Sequence, residues 1–359
     1  MGGVYYAQNI INLFMHSEKL KSEYEIHVLT PPELYPVFEK YAKEIEIVEM
    51  ENAANHVTSI RFIRYMLKNK IDYWYVLSIS ILDKLMAGRA IFWIADFQHI
   101  HLPQFFSKSE LFFRNKNAKY VAKKKNALIL SSEDAKKDFQ GNYQKYKCDC
   151  HVVHFASAIE AEVRNITAQK EEQVLKKHNL YEQKYIYVPN QFWQHKNHIV
   201  VLKMIEKYLK NGLSDVKFVF TGQMHDYRNP DYTLKLQSYF EKDGFKKCAV
   251  NLGFLDREEQ LIIMKNAQFL IQPSLFEGWG TVLEDAKVLD KRVILSDLDV
   301  HKEQMYDKCV LFKKMDEGDL LDKVNKFLEQ GSTDDIEAGI RRFHADSQEY
   351  AKELEKILL

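Results

Sequence analysis

The sequence is poor in cysteine, proline and glycine, and neither charge is in excess. Its 359 residues include four cysteines, seven prolines and thirteen glycines. So few prolines and glycines exclude a collagen-like repeat and long Gly/Ser linkers. The 51 basic and 51 acidic side chains cancel. A net charge of zero argues against a dedicated nucleic-acid-binding protein, because such proteins carry a basic excess.

Long apolar runs and paired cysteines are also missing. No stretch approaches the 18 consecutive apolar residues that indicate a membrane-spanning helix. The first residues lack the basic region and apolar core of a signal peptide. The cysteines form no Cys-x-x-Cys pair of the kind that binds zinc. We therefore expect a cytoplasmic protein with reduced thiols and no bound metal.

The sequence is rich enough in apolar residues, at 46%, to form ordinary cores. At about 150 residues per domain, its length predicts two domains. Short apolar runs alternate with helical periodicity, which indicates parallel sheets covered by helices on both faces. We therefore predict an α/β protein with two facing, doubly wound, Rossmann-like domains. The predicted strands are 24–30, 73–77, 91–95, 127–131, 151–155, 185–189, 216–221, 249–252, 269–272 and 292–296.

The domain boundary is predicted where the strand pattern stops. Residues 1–160 form the first domain, and residues 161–184 form a polar linker without strand patterning. Residues 185–332 form the second domain. Residues 333–359 have apolar positions at helical spacing and are predicted as closing helices that pack back toward the first domain.

Parallel α/β sheets bind ligands beyond the carboxyl ends of their strands. Residues 273–286 are the most informative such segment, because a turn with Glu277, Gly278 and Gly280 follows a strand and precedes a helix. The N–H groups at a helix start suit a diphosphate, and glycines let a ligand approach the backbone. Glu277 and a carboxylate further into the helix are placed to hold sugar hydroxyls from two sides.

This stretch resembles the acidic signature of the retaining family-four glycosyltransferases, which have the GT-B fold. In that family a Glu opens the motif, a Gly-aromatic-Gly run follows, and a second Glu lies eight residues after the first. The run Glu277-Gly-Trp-Gly280 matches the opening, whereas Asp285 stands at the second position and Glu284 precedes it. Gapless register favours Asp285 in the second role, and side-chain reach favours Glu284. We expect the other of the two to be a surface residue.

The resemblance extends to other strand ends of the second domain. Lys196 matches the family's Lys, which contacts the donor diphosphate, but the Arg five residues before it is replaced by Gln191. Glutamine donates a hydrogen bond without charge, so part of the phosphate clamp is missing. Gly222 resembles the glycine that ends a strand in the family. The loop with Phe254 and Leu255 resembles the loop that packs on the nucleotide base.

In the first domain, the loop with His99 resembles the family's His-bearing loop, and His99 is expected to face the donor sugar. Gly2 and Gly3 resemble the family's glycine loop beside the diphosphate. In the family a β-strand precedes that loop, whereas here only Met1 does. We therefore expect the native protein to begin upstream of Met1, or the N-terminal sheet to show a gap. The alternative is that another strand fills the slot.

The resemblance implies a retaining, metal-independent hexosyltransferase that needs no cofactor. It would move a sugar from a nucleotide-diphosphate sugar to a glycan or lipid-linked acceptor in cell-surface polysaccharide synthesis. His99, Lys196 and Glu277 are then the catalytic residues. The implied donor-binding residues are Gly2, Gly3, Gln191, Gly222, Phe254, Leu255, Gly278, Trp279, Gly280, Thr281, Glu284 and Asp285.

Three other functions fit the fold class. The missing charge at Gln191 favours a non-catalytic, glycosyltransferase-like binding subunit, whereas retention of Lys196 and Glu277 argues against it. A sugar-nucleotide epimerase of the same two-domain fold is the second alternative. A nicotinamide oxidoreductase is disfavoured, because the best Gly-x-Gly-x-x-Gly match, which starts at Gly278, has Leu283 in place of the third glycine.

A basic region with apolar residues lies at 105–125. Residues 101–150 hold 11 basic and 5 acidic side chains, a net charge of +6. Apolar anchors beside a basic cluster suit an anionic membrane, so peripheral binding to the inner face of the plasma membrane is one interpretation. In the other, the phenylalanines are core residues and the lysines are merely solvated. The residues concerned are Phe105, Phe106, Leu111, Phe112, Phe113, Arg114, Lys116, Lys119, Lys123, Lys124 and Lys125.

Overall fold

The chain forms two compact units, each of which mixes helices with parallel strands. The computed structural model describes residues 2–50, 60–76, 90–212, 216–226, 228–331 and 333–359. The first unit comprises Met1–Phe97, Ser107–Ala156 and His344–Leu359, and the second comprises Gln98–Phe106 and Ser157–Phe343. Within the described ranges, no helix is long and apolar enough to cross a membrane.

The first unit contains two parallel sheets in its described residues. Its strands are β1 (His27–Thr30), β2 (Glu46–Glu49), β3 (Trp74–Val76), β4 (Ala90–Ile94), β5 (Ala127–Leu130) and β6 (Asp149–Val152). β1 pairs with β2, and the other four follow one another in sequence order. No pairing joins β1 to β3 among the strands that the structure describes.

Helices surround these sheets, and one short helix of the series belongs to the second unit. The helices of the first unit are α1 (Gly2–Met15), α2 (Glu18–Glu23), α3 (Tyr35–Phe38), α4 (Ile60–Lys68), α6 (Lys108–Ala122) and α7 (Glu133–Asn142). Helix α5 (Gln98–His101) lies in the second unit. The predicted glycine loop is helical, because α1 begins at Gly2 and so includes Gly3 in its first turn.

A core of the first unit forms where α1 packs against the sheet of β4 and β5 and against the C-terminal helix. Leu13 and Phe14 cluster with Ile91 of β4 and Ile129 of β5, and Leu354 from the end of the chain joins them. Each of these side chains is at most 5% exposed, so the last helix contributes apolar burial to this unit.

The described strands of the second unit form one six-stranded parallel sheet. Its strands are β7 (Tyr185–Pro189), β8 (Lys217–Thr221), β9 (Ala249–Asn251), β10 (Leu270–Gln272), β11 (Val293–Ser296) and β12 (Cys309–Phe312). Their order across the sheet is β12-β11-β10-β7-β8-β9. Every residue of β7 is buried, as expected for a central strand with helices on both faces.

The helices of the second unit follow the predicted alternation. They are α8 (Glu160–Arg164), α9 (Ala168–Lys177), α10 (His198–Lys210), α11 (Pro230–Phe240), α12 (Asp243–Cys248), α13 (Arg257–Asn266), α14 (Thr281–Val288), α15 (Asp299–Gln304), α16 (Glu317–Gln330) and α17 (Ile336–Leu358). Two of these helices, α8 and α9, lie in the region expected to be a polar linker. From His344 onward, α17 is part of the first unit.

Two strands were not predicted from the sequence. β2 has only four residues, and exposed glutamates stand at both of its ends. β12 is equally short, although all four of its residues are apolar. Both strands lie at the edge of their sheets, and an apolar run this short does not distinguish a strand from a helix.

The phenylalanines of the basic region divide into two groups. Phe112 and Phe113 are 60% and 58% exposed, and their rings meet edge-on with centroids 5.5 Å apart. Phe105 and Phe106 are half-buried. The interpretation in which the phenylalanines are core residues is therefore wrong for Phe112 and Phe113.

Helix α17 crosses the end of α14 at a glycine. A Cβ atom on Gly339 would lie 2.2 Å from the carbonyl oxygen of Val288 and 2.7 Å from that of Lys287. Contacts this short do not occur in folded proteins, so the helices could not approach as they do with any larger residue at 339.

We predict that Gly339→Ala lowers the free energy of unfolding by about 1–3 kcal/mol, because the new methyl group forces the helices apart. Chemical denaturation monitored by circular dichroism measures this. Gly141→Ala is the matched control, since nothing lies within 4 Å of its Cβ position and helical alanine is favoured over glycine by up to about 1 kcal/mol. Equal stability of the two variants would contradict the close crossing.

Candidate functional site

The order of the six-stranded sheet reverses between β7 and β10. From β7 the chain continues to β8 on one side, whereas β10 pairs with the other side of β7. Doubly wound sheets bind ligands in the crevice outside such a reversal point. The loop after β7 carries Lys196, and the loop after β10 carries Glu277. The topology therefore brings two of the predicted catalytic residues together.

Lys196 and Glu277 form a buried ion pair. The Nζ of Lys196 donates to Oε1 of Glu277 at 2.6 Å, and the two side chains are only 16% and 9% exposed. The same oxygen accepts hydrogen bonds from Oγ of Ser274 at 2.6 Å and Nε2 of Gln272 at 3.0 Å. Burial alone would raise the pKa of Glu277, but the charge and hydrogen bond of Lys196 and the hydrogen bond of Ser274 lower it to about 2. Glu277 is therefore ionised at neutral pH.

A left-handed asparagine holds the Lys196 loop in place. Asn197 has φ of 54°, a conformation that asparagine adopts more readily than most residues. Its Nδ2 donates to the carbonyl of Pro273 at 3.0 Å. The N–H of Leu275 donates to the carbonyl of His195 at 2.7 Å. These bonds join the loop of Lys196 to the loop of Glu277, so the ion pair is positioned by the backbone on both sides.

Gln191 ties the loop after β7 to the loop after β8. Its Oε1 accepts the N–H of Gln223 at 2.9 Å. Next to it, Gly222 has φ of +121°, and a Cβ atom there would lie 2.4 Å from the carbonyl oxygen of Asn190. Only glycine fits this conformation and this approach. Gln191 thus has a structural role between the loops, and it brings no positive charge to them.

Helix α14 begins directly after the Glu277 motif, with Gly280 as its N-cap. Gln304 brackets this glycine: its Oε1 accepts the Gly280 N–H at 3.0 Å, and its Nε2 donates to the Gly280 carbonyl at 2.8 Å. The Nε2 also donates to Glu284 at 2.6 Å, and Lys287 pairs with the same carboxylate at 3.1 Å. The space beside Gly280 is therefore occupied by Gln304.

Asp285 is held by an arginine and a serine of its own unit. Nη1 and Nη2 of Arg257 bind its two oxygens at 2.7 and 2.6 Å, and Oγ of Ser157 donates to Oδ1. Glu284 is 1% exposed and Asp285 is 2% exposed. Glu284 and Asp285 point to different faces of α14, and both faces are packed. The prediction that one of them is a surface residue is therefore wrong.

Three buried histidines surround the ion pair. Burial lowers the pKa of His195 to about 3, with a further contribution from the charge of Lys196. Burial also lowers the pKa of His198 to about 3 and the pKa of His301 below its ordinary value. The Nδ1 of His301 donates to the carbonyl of Ser296 at 2.8 Å. All three rings are therefore neutral at pH 7.

His99 belongs to the same unit as the ion pair. It lies on α5, within the Gln98–Phe106 segment, and is 4% exposed. Two residues further on, the ring of His101 lies 5.3 Å from that of Phe276, the neighbour of Glu277. From its position in the sequence, this segment was predicted to lie in the first domain. Its contacts in the structure group it with the second unit.

The other predicted donor-binding residues have varied surroundings. Trp279 is 8% exposed, with Nζ of Lys287 5.8 Å from its ring. Phe254 is 52% exposed, and Leu255 beside it is half-buried. Gly278 is half-buried, and Thr281, the first residue of α14, is exposed. Gly2 and Gly3 lie in the first unit.

Several residues that position the site were not predicted from the sequence. Gln272, Asn197, Gln304 and Arg257 each hold a predicted residue or its loop through a side-chain hydrogen bond. Gln272 gave one usable signal, since a glutamine at the end of an apolar strand needs a polar partner. The others lie in polar segments, where a single amide or arginine carries no pattern.

Comparison with known sequences identifies one family. The sequence model of the family described as "Glycosyl transferases group 1" matches residues 170–352, which is just over half of the chain. The match includes the loops of Lys196, Glu277 and Asp285. No significant match was found among curated proteins.

Solved structures with the same fold cover nearly the whole chain. A glycosyltransferase from Rickettsia africae ESF-5 has a TM-score of 0.66 at 15% identity, over 97% of this chain and 92% of that one. Anabaena HepE in complex with UDP and glucose has a TM-score of 0.66 at 12% identity, over 98% and 92%. A UDP-forming α,α-trehalose-phosphate synthase from Burkholderia xenovorans has a TM-score of 0.60 at 11% identity, over 91% and 82%. These likenesses confirm the predicted GT-B fold with its two Rossmann-like units.

The buried histidines predict a pH-dependent stability. The ordinary pKa of 6.5 falls to about 3 for His198 in the folded chain. Below about pH 6.5 the unfolded chain therefore binds a proton that the folded chain does not, and the free energy of unfolding falls as pH falls. Each such histidine contributes up to about 1.4 kcal/mol per pH unit.

We expect His198→Phe, which keeps a ring against Phe192, to have a shallower loss of stability than wild type between pH 6.5 and 5. Urea denaturation at half-unit pH steps measures the two slopes, whatever the absolute stability of the variant. Above pH 7.5 the two curves should run parallel. An unchanged slope below pH 6.5 would show that His198 is not neutral in the folded chain.

Proposed function

The chain belongs to the group 1 glycosyl transferases and is a glycosyltransferase, and from this membership we propose a specific reaction. The chain transfers a hexose, with retention of configuration, from a nucleotide-diphosphate sugar to a glycan or lipid-linked acceptor. Synthesis of cell-surface polysaccharide at the cytoplasmic side of the membrane is the role that we propose for it.

The Lys196–Glu277 pair is the observation that carries this proposal. A cation and an anion share a buried site, 2.6 Å apart, at the reversal point of a parallel sheet and before the start of α14. A diphosphate needs the positive charge of Lys196 and the N–H groups of a helix start. A sugar needs an acceptor for its hydroxyls, and the carboxylate of Glu277 is one. Both parts of a nucleotide sugar thus have a partner here.

The proposed chemistry places positive charge where negative charge develops. The acceptor hydroxyl oxygen bonds to C1 of the sugar on the face from which the diphosphate departs, and the bond between C1 and the phosphate oxygen breaks. The hydroxyl proton passes to the departing phosphate oxygen. Lys196 and the start of α14 stabilise the diphosphate during this step. His99 is proposed to contact the donor sugar, and no metal is required for this course.

Two of the solved structures support a nucleotide-diphosphate donor. Anabaena HepE was solved with UDP and glucose, and the Burkholderia xenovorans enzyme is described as UDP-forming. We therefore propose UDP-linked hexoses as the first donors to test.

A non-catalytic binding subunit is the second candidate. Gln191 favours this candidate, because its side chain carries no charge and its amide oxygen already accepts the N–H of Gln223. The two candidates differ in slow hydrolysis of the donor in the absence of an acceptor. A transferase releases nucleoside diphosphate under these conditions, and a binding subunit does not.

The exposed phenylalanines support a membrane-bound acceptor. Phe112 and Phe113 lie near the start of α6, and the basic side chains of Lys116, Lys123 and Lys125 on and after this helix are exposed. Nζ of Lys116 lies 5.6 Å from the ring centroid of Phe112. An apolar pair beside several lysines is suited to inserting between anionic head groups. We propose that this surface binds the cytoplasmic face of the plasma membrane.

For the donor site, we expect Lys196→Ala and Glu277→Gln each to lower transfer by about 10²–10³-fold, because each removes a group that contacts the diphosphate or the sugar. Product formation with radiolabelled UDP-hexoses measures this. Lys176→Ala is the matched control, since this lysine is 58% exposed on α9 and pairs with the surface residue Glu172. Near wild-type turnover in both site variants would mean that the site lies elsewhere.

For the membrane surface, we expect joint neutralisation of Lys123, Lys124 and Lys125 to weaken binding to anionic vesicles more than about 100-fold, at about 1 kcal/mol per lysine. Phe112→Ser with Phe113→Ser should also reduce it. Sedimentation with phosphatidylglycerol vesicles at low and high salt measures both effects. Leu234→Ser is the control, because Leu234 is 63% exposed on a helix of the other unit. No sedimentation, or sedimentation that is insensitive to salt, would exclude the membrane surface.

A further inference from the structure

A second cation lies beside the loop of Lys196. Arg228 follows β8, and its guanidinium lies near two aromatic rings of the second unit. Its Cζ lies 5.5 Å from the ring centroid of Trp193 and 5.8 Å from that of Phe106. Its side chain is 14% exposed, so the charge is largely withdrawn from water.

Asp226 pairs with Arg228 and holds its loop in position. The carboxylate of Asp226 lies 3.6 Å from its Nε. Asp226 itself binds the backbone N–H groups of Gln194 at 2.9 Å and Arg228 at 3.1 Å. Stacking engages the flat face of a guanidinium, whereas its N–H donors lie at the edge. An arginine held in this way is oriented before a ligand arrives.

The loop of Arg228 is bonded to the turn that ends in Lys196. Besides the bond from Gln194 to Asp226, Nδ2 of Asn229 donates to Oε1 of Gln194 at 2.7 Å. The ring of His195 lies 5.6 Å from that of Trp193, on which Arg228 also stacks. The two cations are therefore carried by loops that are joined at the ends of adjacent strands, β7 and β8.

We propose that Arg228 binds the diphosphate of the donor together with Lys196 and supplies the charge that Gln191 lacks. This inference rests on the proposed function. A diphosphate carries more negative charge than one lysine offsets, and a guanidinium binds two of its oxygens at once. Arg228 lies in the loop after β8, whereas Gln191 lies in the loop after β7. Phe106, from the segment that carries His99, lies beside the guanidinium.

The test compares nucleoside diphosphates with nucleosides. Binding of UDP, uridine, GDP and guanosine is measured by calorimetry on wild type, Arg228→Gln and Arg228→Lys. For the diphosphate that wild type binds, we expect Arg228→Gln to weaken affinity roughly 10- to 100-fold, which is the loss of a charge-assisted contact. Affinity for the matching nucleoside should not change. The affinity of Arg228→Lys for the diphosphate should lie between those of wild type and Arg228→Gln, since lysine keeps the charge but lacks the planar guanidinium group.

Arg341→Gln is the control for loss of a charge, because Arg341 is 70% exposed and pairs with Asp335 across 3.8 Å. In the Arg228→Gln background, Gln191→Arg should restore part of the affinity for the diphosphate. If Arg228→Gln lowers affinity for nucleoside and diphosphate equally, Arg228 only supports the loop and the proposal fails. The proposal also fails, with the proposed function intact, if Lys196→Ala loses diphosphate affinity and Arg228→Gln does not. If wild type binds neither UDP nor GDP, both fail.

Discussion

The site depends on one topological constraint, the pairing of β7 with β10 in a sheet where all strands run the same way. Lys196 and Glu277 are 81 positions apart in the chain, and only this pairing ends their strands at neighbouring points of one edge. Asn197 and Gln272 then hold the loops in register through side-chain hydrogen bonds to Pro273 and Asn190, which cross between the strand ends. A loop that shifted by one residue would lose the ion pair and leave a buried charge without a partner.

The buried ion pair also limits how a donor binds. Each of its charges is withdrawn from water, and the gain from their attraction is partly offset by this desolvation. A diphosphate that approaches Lys196 competes with Glu277 for the ammonium group. Under the proposed function, this competition releases carboxylate oxygens of Glu277 for the sugar hydroxyls. Ser274 and Gln272 keep the carboxylate in place during the exchange, because both donate to it independently of Lys196.

The sequence predicted those parts of the fold and site that depend on local pattern. Strand β7 was predicted to the residue, because a fully apolar strand of this length has a clear local signal. The Glu277 motif could be located because a strand, a turn with glycines and a helix start lie within fourteen residues. The edge strands β2 and β12 could not, since four residues are too few to show a clear strand period.

Other features depend on partners that are distant in the chain, and a single sequence does not specify such partners. Glu284 and Asp285 are both buried because Gln304 on α15 and Arg257 on α13 reach them, and neither contact has a local signal. The same holds for Arg228, which is an ordinary loop arginine until the sheet brings Trp193 and Phe106 against it. The grouping of the His99 segment with the second unit likewise follows from contacts alone.

The most direct test of the account is the stability of the protein in the presence of nucleotide sugars and of the nucleoside diphosphates derived from them. At 100 times its Kd, a ligand of the folded state adds about 2.7 kcal/mol to the free energy of unfolding. We expect at least one nucleotide sugar to stabilise wild type more than its nucleoside diphosphate does at equal concentration. We also expect Glu277→Gln to lose this difference and to keep the stabilisation by the diphosphate. No stabilisation by any nucleotide sugar, or an undiminished difference in Glu277→Gln, would contradict the assignment of Lys196 and Glu277 to the donor site.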